Sequence, residues 1–191
     1  MKNMPCLLII DMQKGMSWPQ AGQRNNPNAE QDIAELLAHW RVHHAPIVHV
    51  RHLSLEPESL FWPDQDGALF QDVFQPLSHE MVIDKSVPDA FTHSNLAVWL
   101  QEKGIKDLVV VGVSTNNSVE STVRTAGNLG FNTYVVQEAC FAFAKADFNG
   151  YERSADDVHA MSLANLDGEY ATVISQDSAF TLLSSAVAQS Q

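Results

Sequence analysis

Cysteine is nearly absent from this 191-residue chain: only Cys6 and Cys140 occur. One pair cannot build the disulfide framework of a small secreted domain, so a reduced, cytoplasmic protein is expected. Basic residues are scarce as well. Eleven Lys and Arg stand against 23 Asp and Glu, for a formal net charge of −12. Nucleic acid and anionic membrane surfaces both need a basic face, so neither is expected as a partner. Long apolar runs are missing. The run from Met4 to Ile10 ends at Asp11, too short and too soon charged for a signal peptide or a membrane span. The chain also lacks internal repeats and low-complexity tracts. A small-molecule substrate remains, because it feels only the local field of its pocket. No cofactor is expected.

What is present is alternation. The length and the 45% hydrophobic content suit one domain, residues 1–191, with a real core. Cys6 to Ile10 reads as a strand buried on both faces. Ile33, Leu36, Leu37 and Trp40 recur at the spacing of one helix face, with Asn28 and Gln31 as a capping box. Pro46 to Arg51 and Met81 to Asp84 read as the second and third strands. Between them, Leu53 to Glu80 holds three prolines and no clear period. That is a long loop, of a kind often tied to function. Leu96, Trp99 and Leu100 mark a helix. Leu108 to Val111 is the clearest strand. Val119, Val123 and Ala126 line the next helix, which Gly130 ends. Thr133 to Val136 begins a fifth strand. A helix near Ser154 to Leu166 and a strand near Ala171 to Ile174 complete the series. Strand–helix alternation predicts an α/β fold, a three-layer, doubly wound sandwich with a mostly parallel sheet of about six strands. Such sheets bind ligands at the carboxyl ends of their strands.

Three polar residues follow strands at that edge. Asp11 follows the first strand, where partial desolvation suits a carboxylate to general-base work; an Asp capping a turn is the alternative. Lys85 follows the third. It can pair with Asp11 and stabilise charge developing on a substrate, or it can be an ordinary surface lysine. Ser118 stands near the start of the helix after the fourth strand, with Asn117 and Glu120 as a capping box. Free N–H groups at a helix start make an anion site that can serve as an oxyanion hole. A thiol there would be acidified. A hydroxyl needs a base such as Asp11; equally, serine is simply common at helix starts.

His52, after the second strand, is a candidate substrate contact. His39 and His43 have a metal-binding spacing but no third ligand, so no metal is expected. His49, inside the second strand, reads as structural. Cys140, after the fifth strand, is either a nucleophile near the edge or a buried small hydrophobe. Cys6 reads as core.

Taken together these motifs resemble the isochorismatase-like (cysteine hydrolase) superfamily. The carriers are Leu8-Ile9-Ile10-Asp11-Met12-Gln13, Lys85 with Ala90-Phe91, Gly112 through Ala126, and Val158-His159 through Ser162 to Ala171. The resemblance spans nearly the whole chain. It implies a catalytic Asp, Lys and Cys, carried here by Asp11, Lys85 and position 118, where serine replaces the cysteine. It also implies a cis peptide at Val113-Ser114, with the N–H groups of Ser114 and Ser118 turned to the oxyanion. Gln13, His52, Phe91 and Thr115 become candidate substrate contacts, and a homodimer or homotetramer is expected. The Asp-x-His metal motif of nicotinamidases is missing, since Arg51-His52-Leu53 stands there. Three readings follow: an amidohydrolase for a small amide or carbamoyl compound, an enol-ether hydrolase using Asp11 without a nucleophile, and an inactive small-molecule-binding homologue.

Overall fold

Five consecutive apolar residues, Cys6–Ile10, form β1, and all five are buried. No polar face is needed, because β1 lies inside a sheet covered on both sides. In the computed structural model, which describes residues 4–189, six strands pair in the order β3-β2-β1-β4-β5-β8. They are β1, β2 (Ile47–His52), β3 (Met81–Lys85), β4 (Asp107–Val113), β5 (Asn132–Phe141) and β8 (Thr172–Ile174). Every pairing in this sheet is parallel. The expected three-layer α/β architecture is the one found.

Alternate residues of the strands feed two cores. Cys6, Leu8 and Ile10 join α2 (Leu96–Glu102), α3 (Glu120–Asn128) and α4 (Ala155–Leu166). Leu7 and Ile9 join α1 (Ala29–Val42) and α5 (Gln176–Ala188). The stripe Ile33, Leu36, Leu37 and Trp40 is fully buried, as its spacing predicts. Trp40 also donates its indole N–H to the Pro5 carbonyl at 2.8 Å, satisfying its polar atom.

Several local expectations fail. Asn28 makes no side-chain cap, and Gln31 instead donates to Glu35 along the helix surface. Strand β5 runs on to Phe141, past the expected Val136, because a register shift against β4 admits extra residues. Cys140 therefore lies inside β5, not after it. A two-stranded hairpin, β6 (Lys145–Ala146) with β7 (Glu152–Arg153), and the whole of α5 went unread in the sequence. The loop after β2 is partly ordered by two short 3-10 turns, Asp66–Ala68 and Asp72–Phe74.

One glycine sets the strand spacing. Gly112 has φ +122°, and a Cβ there would sit 2.1 Å from the Ile10 carbonyl oxygen. Only glycine lets β4 lie that close to β1.

Candidate active site

The carboxyl ends of β1, β3 and β4 bring three side chains together. The main chain turns at Asp11 with φ +51°, a left-handed conformation that Asp tolerates better than most residues. The turn leaves the Asp11 carboxylate buried. Lys85 is the last residue of β3. Its Nζ donates to Asp11 Oδ2 at 2.8 Å and to Ser118 Oγ at 3.2 Å. The ammonium and carboxylate are 0% and 1% exposed. Such a pair survives burial because each charge neutralises the other and is hydrogen-bonded. Asp11 Oδ1 is buried with no hydrogen-bond partner among the described residues. Ser118 Oγ already accepts from Lys85, which leaves its own proton to be given elsewhere.

Ser118 lies in a single π-helical turn, Thr115–Val119, ahead of α3. Turns of this kind cluster at functional sites. The Val113-Ser114 peptide is cis. The Asn117–Glu120 capping box does not form. Ser114 holds the cap position, and its carbonyl accepts from the N–H groups of Asn117 and Val119. Glu120 is drawn away by Arg124 and Ser162.

Helix α4 holds the turn from outside. Thr115 Oγ1 and His159 Nδ1 are 2.8 Å apart, with the donor set by the ring tautomer. The Ser162 hydroxyl lies 2.8 Å from the Thr115 carbonyl and 2.6 Å from Glu120 Oε2, sharing its single proton between them. Burial pulls the His159 imidazole below its ordinary value; Asp156 and the Gln137 carbonyl oppose that. Neither residue has a role in the motif-based reading. The signal available was their i, i+3 spacing on one helix face.

The remaining candidates divide. His52 ends β2 with its ring half-buried and edge-on to Phe61. Desolvation, then the Lys85 charge, lower its pKa, against the opposing pull of Asp11. Gln13 is not free to hold substrate. Its amide accepts from the His52 N–H at 2.8 Å and donates to the carbonyls of His52 and Ala68 at 2.8 and 2.9 Å. It pins the chain after β1 to the end of β2 and to the long loop. Phe91 is core, stacked on Phe131. Thr115 is fully buried, and its hydroxyl is taken by His159. Cys140 is buried, and desolvation pushes its thiol up to about 12, so it is no nucleophile. His39 and His43 stack with ring centroids 4.5 Å apart. No group of three His, Cys, Asp or Glu among the described residues could hold a metal ion. No described helix is long and apolar enough to cross a membrane.

Known proteins resemble this chain over nearly its whole length. The isochorismatase domain model matches residues 5–178. The isochorismatase family protein YrdC of Bacillus subtilis is 35% identical over 177 residues, covering 93% of this chain and 95% of its own. Nicotinamidase 3 of Arabidopsis thaliana is 26% identical over 184 residues, covering 90% of this chain and 84% of its own. A crystal structure from Chromobacterium violaceum, assigned to the isochorismatase family of hydrolases, superimposes with a TM-score of 0.92 at 48% identity. It covers 95% of this chain, and the match takes in 94% of that one. This chain therefore belongs to the isochorismatase family and is a hydrolase.

Proposed function

We propose that the enzyme cleaves the C–N bond of a small amide or carbamoyl compound through Asp11, Lys85 and the residue at position 118. The observation that carries this reading is the buried contact set Asp11–Lys85–Ser118. It joins a carboxylate oxygen lacking a partner to a hydroxyl whose proton is unspent. Ser118 Oγ attacks the substrate carbonyl carbon and its proton passes to Asp11. The N–H groups of Ser114 and Ser118 receive the oxyanion. Lys85 holds Asp11 in place through its 2.8 Å hydrogen bond to Oδ2. The C–N bond then breaks, Asp11 returns the proton to the leaving nitrogen, and water hydrolyses the acyl-enzyme.

Single-turnover hydrolysis of a panel of small amides, with serine and with Ser118→Cys, tests the reading. Cysteine is expected to be faster by orders of magnitude, because the same stabilisation acts on a stronger acid. A thiol at 118 without amidase activity would overturn it. The serine itself favours one other reading, enol-ether cleavage with Asp11 as proton donor, which needs no thiol. Cleavage of an enol ether at equal rates with either residue at 118 would establish that alternative.

A further inference from the structure

We infer that a cavity at the amino edge of the sheet, opposite the Asp11–Lys85–Ser118 contact set, binds a small aromatic carboxylate. The ring lies against Trp99, and the carboxylate is held by Lys103, His44 and His79.

The cavity opens where β2, β3 and β4 begin. Ile47 starts β2, Glu80 directly precedes β3 and Ile105 stands two residues before β4, and all three line it. Lys85 lies at the other end of β3. At a rise of about 3.3 Å per residue, that strand separates the cavity from Lys85 by about 16 Å. A ligand here therefore touches no member of the contact set. The cavity holds about 290 Å³, small for a ligand site and suited to a single ring, not to a nucleotide.

Floor and rim differ in chemistry. Buried Ile47 and Ile105 and half-buried Trp99 supply an apolar floor. Among the described residues, Trp99 has no ring partner and its indole N–H makes no hydrogen bond. Lys103, His44 and His79 are exposed at the rim. Lys103 has no ion pair and neither imidazole has a hydrogen bond among the described residues. An imidazole carries an N–H donor whether neutral or charged, so all three side chains can donate to an anion. Glu80 is the one acid among the described residues of the lining, and its oxygens are taken by Arg41, His49 and the Leu77 N–H. An apolar floor with unspent donors at its rim fits a ligand that is apolar at one end and anionic at the other.

Two helices stop at this cavity by the same device. At the end of α2, the N–H groups of Gly104 and Ile105 return to the carbonyls of Gln101 and Leu100. At the end of α1, those of His44 and Ala45 return to Arg41 and Trp40. The turning residue is left-handed in both, with φ +68° at Gly104 and +52° at His44. Glycine is the ordinary residue for such a stop. Helix α1 carries a histidine there, and the stop makes no use of its ring. The cavity does, because the ring is a donor at the rim.

Calorimetric titration of the whole protein with benzoate and with benzyl alcohol tests the site, since the two differ by a carboxylate against a neutral hydroxymethyl. Benzoate is expected to bind about fivefold to tenfold tighter, the weight of one exposed ion pair. Lys103→Met is expected to erase that preference. Lys106→Met, at the same edge but outside the cavity, is expected to keep it. Benzoate is also expected to quench tryptophan fluorescence, and Trp99→Phe to remove the quench. His44→Gly is expected to weaken benzoate binding while the melting temperature holds or rises, because glycine relieves the left-handed turn. A lower melting temperature with benzoate affinity unchanged would make His44 a folding residue and overturn its place in the site. Benzoate binding no tighter than that of benzyl alcohol, or indifferent to Lys103→Met, would overturn the proposal. None of these readouts involves amide hydrolysis, so failure here leaves the amidase reading standing.

Discussion

A free cysteine thiol titrates near about 8.5, and a helix start or a neighbouring ammonium can bring it down by units. A serine hydroxyl starts from far weaker acidity, so the same surroundings cannot ionise it and a base must take its proton. Asp11 is the only carboxylate placed to do so in the contact set with Lys85 and Ser118. Asp11→Asn is therefore expected to abolish amide turnover with either serine or cysteine at 118, while far-ultraviolet circular dichroism shows the fold retained. Retained turnover in that variant would remove Asp11 from the mechanism. Thiol labelling gives a companion expectation. Burial holds Cys140 at about 12 and pushes Cys6 higher still, so the folded chain is expected to label at no site and Ser118→Cys at one. Asp11, Lys85 and Ser118 were legible because each ends or follows an apolar run, and the parallel sheet brings such positions together. The partners that Gln13, Phe91 and Thr115 have within the chain were not legible, for the converse reason. Sequence gives a polar side chain its place on an element, but not the backbone carbonyl or ring that satisfies it.

The π-helical turn Thr115–Val119 depends on an element far along the chain. His159 and Ser162 hold Thr115 by its hydroxyl and its carbonyl. Removing the His159 ring leaves a buried hydroxyl unsatisfied, at a cost of about 1–3 kcal/mol. It also frees the turn to shift, and a displacement of about 1 Å at a reacting group can cost about a hundredfold in rate. In the Ser118→Cys background, His159→Ala is expected to lower kcat far more than it changes KM. His159→Asn, whose amide offers Thr115 a partner near the Nδ1 position, is expected to recover much of the loss. A fall in melting temperature with kcat unchanged would give His159 a folding role only. Helices and strands that bury a dense stripe were readable at this scale; α1 shows four apolar residues on one face. Helix α5 was not, because it buries only Ala179 and Leu183 within a serine-rich segment. The length of β5 was hidden by Gln137 and Glu138, which interrupt its apolar run.

Across the molecule, acid is the condition that tests the charge arrangement. Glu80 links α1, β2 and the long loop. Although burial works against its charge, Arg41, the Leu77 N–H and His49 hold its carboxyl at about 2, below the ordinary 4.5. His49 is also lowered, by burial first and then by Arg41, against the pull of Glu80. Both folded-state values lie below the unfolded ones, so this network contributes stability at neutral pH. That stability is lost as pH falls, first through the histidine range near 6.5 and then between about 4.5 and 2. Urea unfolding from neutral pH to about pH 3 is expected to show this decline. Glu80→Gln is expected to be less stable at neutral pH and to decline less steeply. Parallel slopes for the two proteins would remove Glu80 from the acid response. The α/β class was readable at this scale from the alternation of periods alone. The pairing of Arg41 with Glu80 and of Arg51 with Asp84 was not, because those partners lie 39 and 33 residues apart in sequence.

Gly112 bears no functional group, yet it governs how far Asp11 stands from the strand that leads to Ser118. Any side chain there would meet the Ile10 carbonyl and push apart the two strands whose ends carry Asp11 and the turn of Ser118. Serine and cysteine at position 118 differ by one atom at the end of a side chain, a change the turn can accept. Position 112 has no such freedom. What Gly112 supplies to this site is an empty volume, on which the alignment of the two strand ends depends.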